Sequence, residues 1–280
     1  MNRIISLIVA GIIALAAYAH GNSSIMVSYT AHSINLRDGK TELKIRYILL
    51  ANASGSKFFS PVSEYVDSMN STSRGRAKLQ QMTATAVQDG KLADIPRRDG
   101  ACYVVKSLDE GRLKHYDYAG TEQYVYEEPT GQCEWSVADS VRTILDYECI
   151  MATTDYHGRK WTVWFSPEIP VRNGPWKFDG LPGLILEAES EDGHYGFVAT
   201  GIEECSRPIG PVYLADEYEK TERIDYLKAK RASLDNPMGA LNALSGSGKV
   251  VMMGADGKPV SSRSMFVPAS IADFIETDYH

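Results

Sequence analysis

Residues 166–183 constrain the fold more than any other stretch, because they hold Pro167, Pro170, Pro175 and Pro182 together with Gly174, Gly180 and Gly183. Proline fixes φ and removes a backbone donor, so neither a regular helix nor a central strand can run through this segment. Connections of this length are uncommon in compact domains unless they serve a function or pack on their own side chains. Ile169, Trp176, Phe178 and Leu181 supply apolar groups for such packing. Pro182-Gly183 suits the centre of a type II turn, which predicts positive φ at Gly183, with Gly180 a second candidate.

Strand-like text flanks the loop. Residues 141–156 and 159–166 meet across His157-Gly158, a two-residue hairpin connection with Gly second. In that register one face holds Ile150, Ala152, Trp161, Val163 and Phe165, and the other holds Cys149, Met151 and Trp164. Both faces carry large apolar groups, so both are expected to be covered, in an ordinary core or around a cavity on the concave side of a curved sheet. A second hairpin joins residues 184–191 and 195–203 across Asp192-Gly193-His194. Further strands are expected at 25–34, 41–51, 102–107, 113–118, 123–127 and 132–137. Helical spacing marks an insertion at about 61–92, with Pro61 at its first position, and C-terminal helices at about 216–245. A final hairpin follows around Asp256-Gly257. Hairpins at this spacing predict a β-rich α+β fold built on an antiparallel sheet, not alternating β and α units.

Composition narrows the function classes. The chain has 280 residues, 44% of them hydrophobic, with 29 Lys+Arg against 36 Asp+Glu. That is globular composition, and its acidic balance argues against nucleic acid as a partner. Asn2 and Arg3 precede an apolar run of residues 4–19 that closes on Ala17-Tyr18-Ala19, the form of a cleavable signal peptide. The run is shorter than the roughly 20 residues that span a bilayer. The expectation is a signal peptide at 1–19 and one domain at 20–280, periplasmic or secreted, without a transmembrane segment. Cys102, Cys133, Cys149 and Cys205 permit two disulfides in an exported chain, with connectivity open.

Gly180-Leu181-Pro182-Gly183-Leu184-Ile185 is the hexapeptide of the GLPGLI family of exported Bacteroidetes proteins, and the chain resembles that family. Cys149 with Ala152-Thr153-Thr154, Gly158-Arg159, Trp164, Pro167-Glu168-Ile169-Pro170, Gly174-Pro175 and Phe178 extend the similarity. The resemblance implies export and a β-rich fold; it brings no established activity and no catalytic residue. The strand layout is also similar to the periplasmic lipoprotein-carrier fold, which implies an open half-barrel-like sheet with helical cover.

Residue chemistry points to no reaction. His32, His115, His157 and His194 show no metal-ligand spacing, so no metal is expected. Residues 246–249 lack the first Gly and final Ser/Thr of a phosphate loop, and there is no nucleophile elbow. Glu187, Glu189 and Glu191 share one strand face, read as solvated, and Arg159 with Glu168 is a candidate anchor for the loop. No cofactor is expected. Two functions remain: a non-enzymatic envelope protein that binds an apolar ligand or a protein partner, or a hydrolase or metal-dependent enzyme assembled only in space. For binding, the candidate residues are Trp164, Pro170, Gly174, Pro175, Trp176, Phe178, Gly180, Leu181, Pro182 and Gly183. The competing role for Trp176 is a plug at the end of the sheet.

N-terminal sequencing of the native protein is expected to begin at or near His20. Intact Met1 in a cytosolic fraction would remove the export expectation.

Overall fold

The computed structural model describes residues 24–34, 42–99, 102–235 and 273–279. The leader, the expected helix near 238–244 and the expected last hairpin lie outside them. Three strands, β1 (Ser24–Ile34), β2 (Glu42–Ala51) and β3 (Gly55–Phe59), precede helices α1 (Pro61–Asn70) and α2 (Ser73–Gln88). Ser60 caps α1 by accepting from the Val62 and Ser63 amides, with Pro61 in the first turn, and Thr72 caps α2. Strands β4 (Tyr103–Ser107), β5 (Arg112–Ala119), β6 (Glu122–Pro129), β7 (Ser136–Ile144), β8 (Tyr147–Tyr156) and β9 (Arg159–Ser166) follow. After the proline-rich loop come β10 (Leu184–Ser190), β11 (Tyr195–Cys205), the short β12 (Glu219–Lys220) and α3 (Arg223–Asp235).

His157 and Gly158 both adopt positive φ, as a two-residue hairpin whose twist matches its strands requires. Tyr156 pairs with Arg159 as expected. Leu145 and Asp146 do the same, with φ of 50° and 66°. This second turn divides the run 141–156, expected as one strand, into β7 and β8. It escaped notice because Leu145 has no intrinsic preference for that conformation.

The strand order is β12-β6-β5-β4-β3-β2-β1-β11-β10-β9-β8-β7, antiparallel throughout except for the β12–β6 pair. One meander runs outward from β1 to β6, and a second returns from β7 to β11 beside β1. Six residues, 130–135, join β6 to β7, yet these strands stand ten positions apart in the sheet. Laid flat, ten spacings would separate them by about 48 Å. The connection reaches at most about 25 Å. The sheet must therefore curl until its two margins approach each other, while remaining open.

Curling gives the sheet an inner face, and the main core lies there. Val27, Tyr29, Leu49, Val163, Phe165, Leu186 and Ala188 pack from the strands against Trp176, Phe178 and Leu181 of the loop. The Tyr29 hydroxyl donates to the Ile185 carbonyl at 2.7 Å within this core. On the outer face, Ile48, Leu50, Phe59 and Tyr103 are covered by Val212 and Ile209. The β8–β9 hairpin departs from expectation. Its face with Ala152, Trp161, Val163 and Phe165 is buried, but Thr153, Asp155 and Lys160 on the other face are exposed. Met151 and Trp164 are half-buried there, and the Arg142 guanidinium lies 4.1 Å from the Trp164 ring while pairing with Glu187. A cation over the indole does the work expected of a second layer.

Cys102, Cys133, Cys149 and Cys205 are free thiols, so the two expected disulfides do not form. The first three pack against the main core cluster and Cys205 against the outer one. Burial pushes the Cys102 and Cys133 thiols up to about 12, which keeps them protonated.

Gly183 does not adopt positive φ, which corrects the type II turn; Gly180 does, at 93°. Gly183 is required by crowding instead: a Cβ there would lie 2.2 Å from the Ser166 carbonyl oxygen. At Gly180 the nearest atom would be 3.5 Å away. Gly183→Ala should destabilise by about 3 kcal/mol, the upper range of overpacking. Gly180→Ala should cost about 1 kcal/mol, a left-handed backbone penalty. Equal losses on urea unfolding would remove this steric assignment.

Lys106, 2% exposed, donates to Asn173 Oδ1 at 3.0 Å and to the Phe178 carbonyl. Burial lowers its pKa from 10.5 to about 8. Between those values the unfolded chain holds a proton that the folded chain has lost, so stability rises with pH across that window. The rise from this one group is about 3 kcal/mol. Lys106→Met should abolish it when unfolding curves are compared from pH 7.5 to 10.5. An unchanged pH slope would refute the placement of this ammonium.

Candidate functional site

The loop residues expected to form a recognition surface lie largely inside the protein. Gly174, Pro175, Trp176, Phe178, Leu181 and Gly183 are buried, Trp164 and Gly180 are half-buried, and only Pro170 and Pro182 are exposed. Trp176 holds φ at 50°, an uncommon conformation for a bulky side chain, and is 2% exposed. Its ring packs against Tyr156, Trp161 and Phe178 with centroids 5.2–5.8 Å away. The loop fills the curled sheet. The expected Arg159–Glu168 anchor is absent: Arg159 pairs with Asp192 and Asp273, and Glu168 accepts from the Glu148 amide at 2.8 Å.

Among the described residues, packing leaves an apolar pocket of about 150 Å³, and Trp176 forms part of its wall. Ile45 and Tyr47 of β2, Phe58 of β3, Phe197 of β11 and Ile275 supply most of the rest. At one end stand His115 and Asp117 of β5, with Lys230 of α3 and Cys102. Alternation along β5 places Leu113, His115, Asp117 and Ala119 on its buried face. Two ionisable groups therefore enter the interior from an ordinary strand.

Asp117 is held by three hydrogen bonds. Its Oδ2 accepts from the Tyr226 hydroxyl and from Lys230 at 2.7 Å, and its Oδ1 accepts from the Tyr118 amide at 2.8 Å. Burial pushes the carboxyl up, but Lys230 and His115 outweigh it and hold it well below the usual range. Burial would lower the Lys230 pKa, and Asp117 reverses that. His115 is lowered by burial and so is neutral at pH 7.

A second polar cluster ties the loop to the C-terminal segment. Lys177, 1% exposed, pairs with Glu128 and, at 2.7 Å, with Glu276. Arg223 pairs with Glu276 at 2.7 Å and Asp278 at 2.8 Å. His157, Glu276 and Asp278 could together face a metal ion, as could Asp192, His194 and Asp273. Arg223 already occupies the first set and Arg159 the second. In both, the positive charge comes from the protein. The two turn histidines thus meet the same C-terminal segment, His157 at Asp278 and His194 at Asp273.

Comparison with known proteins gives partial matches. A family model described as a protein of unknown function, Porph_ging, matches residues 156–187, from the end of β8 through the loop into β10. No curated protein matches the chain. Two solved structures of PNGF-II, in different space groups, are similar with TM-scores of 0.49 at 12% and 13% identity. Each similarity covers 74% of this chain and 32% or 33% of PNGF-II, so the chain spans about a third of that protein's length. A LolA superfamily protein from Nitrosomonas europaea is similar over 69% of this chain and 92% of its own, with a TM-score of 0.28 and 11% identity.

Proposed function

We propose that this chain is an exported GLPGLI-type binding protein of the envelope that holds a small apolar ligand, or the apolar end of a larger one, in the cavity beside Trp176. One observation carries the proposal: the walls are aromatic and aliphatic, while the ionic groups at the far end neutralise each other within the protein. Ligand sites commonly combine apolar walls with a few fixed polar groups. A cavity of about 150 Å³ takes a benzene-sized body, well below the roughly 300 Å³ where drug-sized sites begin. Chemistry is the weaker alternative. Lys230 and His115 hold the Asp117 carboxyl well below the usual range, which makes it a weak base, and the Cys102 thiol stays protonated at neutral pH, so neither meets the demands on a base or nucleophile. A protein partner is the weaker of the two binding modes, because Trp176 and Phe178 face inward. Release to the periplasm or beyond rests on residues 1–19.

Toluene supplies the simplest test. Titration into the full mature chain should give a saturable change in Trp176 fluorescence or in its indole NMR signal. Ile45→Trp, which fills the cavity from β2, should abolish that change and leave the circular dichroism spectrum intact. No saturable response in the wild type would remove the proposal.

A further inference from the structure

The open margin of the sheet holds another recess, separate from the pocket beside Trp176. Pairing between β7 and β8 stops at Ser136 opposite Thr153, and the connection 132–135 parts from β8 there. A polar groove of about 900 Å³ lies between them. Gln132 and Glu134 stand on one side, Thr153, Asp155 and Thr162 on the other, with Trp135 in the wall.

A fixed indole and an open stretch of backbone set this groove apart from ordinary polar surface. Trp135 is half-buried, and its Nε1–H donates to the Asp179 carbonyl at 2.8 Å. Gly180 lets the indole sit close, since a Cβ there would lie 3.5 Å from that nitrogen. Asp179 is itself held, its side chain accepting from the Gly131 amide at 2.8 Å. With its one polar group spent inside the protein, Trp135 offers the groove only ring surface. Tyr156 and Arg159 are the closing, hydrogen-bonded pair of a two-residue hairpin. Alternation therefore turns the N–H and C=O of Asp155 away from β9, toward the margin. The β7 pairing does not extend to them. A backbone donor and acceptor thus face the groove beside the exposed Asp155 side chain.

Hydroxyl groups match this lining, because each donates to a carboxylate or carbonyl and accepts from an amide. A face of C–H groups matches the indole ring. Saccharides carry both. Glu134, Asp155 and Glu191 outnumber Lys160, which Glu191 meets at 3.9 Å, so anionic sugars are repelled. The volume lies near the upper end for small-molecule sites and exceeds what a single sugar ring fills. We infer that the groove binds a neutral oligosaccharide, one ring stacked on Trp135 and its hydroxyls bonded to Asp155 and Thr153. The apolar pocket takes no part in this, so either site can fail alone.

Maltotriose, cellotriose, mannotriose and triacetylchitotriose, titrated into the full mature chain by calorimetry, test the inference. At least one should bind saturably at millimolar concentration and shift the Trp135 indole NMR signal. Trigalacturonate should bind more weakly than that sugar. Asp155→Ala removes an exposed side chain, spares the fold and should weaken binding about fivefold. Trp135→Ala should weaken it about tenfold, and Trp135→Phe, which keeps a ring, by less. If Trp135→Ala does not fold, Asp155→Ala decides alone. No saturable binding of any neutral trimer, tighter binding of trigalacturonate, or unchanged affinity in Asp155→Ala would overturn the inference and leave the toluene result untouched.

Discussion

The buried ammonium of Lys106 governs what the rest of the structure can do. A proline-rich loop laid across the inside of a sheet has no ladder partners, and its carbonyls would be orphaned there. Lys106 reaches from β4 to the Phe178 carbonyl and the Asn173 side chain, so a strand of the first meander supplies the donors. Lys177 answers in the opposite direction, from the loop to Glu128 on β6 and Glu276 near the C-terminus. The difference between the two lysines is instructive. Lys177 meets two carboxylates. Lys106 meets only dipoles at hydrogen-bonding distance, and burial lowers its affinity for the proton despite the charge of Asp179. Between them, the curled sheet is tied across its inside.

The same economy of charge shapes the cavity. A buried carboxylate facing an apolar space would be an invitation to proton chemistry, and Asp117 is denied that part by Tyr226, Lys230 and the Tyr118 amide. What remains at that end is a neutral imidazole. The rest of the wall is largely aromatic and aliphatic.

Much of the fold was legible because period-two alternation and turn residues are local. His157-Gly158 fixed the β8–β9 register, and Pro61 marked the start of α1, each through chemistry confined to a few positions. The β5 alternation that buries His115 and Asp117 was also present in the sequence, and nothing flagged it because an isolated His-x-Asp is common on solvated strands. The loop was legible as irregular but not as interior, since the groups that permit its burial come from 67 to 99 residues away, at Lys106 and Glu276. Gly183 shows the same limit. The sequence suggested a positive φ that it does not adopt, and the carbonyl of Ser166 pressing on it could not be read there.

Strand order has a consequence for how the chain comes to be folded at all. β1 occupies the middle of the sheet, with β2 on one side and β11 on the other, and Ser24 pairs with Cys205. The strand that emerges first during synthesis thus lacks half of its partners until almost the last strand has been made. Contacts this distant in sequence form slowly, because a long loop must close before they contribute. Until β11 has been made, one margin of β1 stays unpaired, whatever the first meander has already formed. Placing the first described strand at the centre of the sheet is a built-in delay in folding.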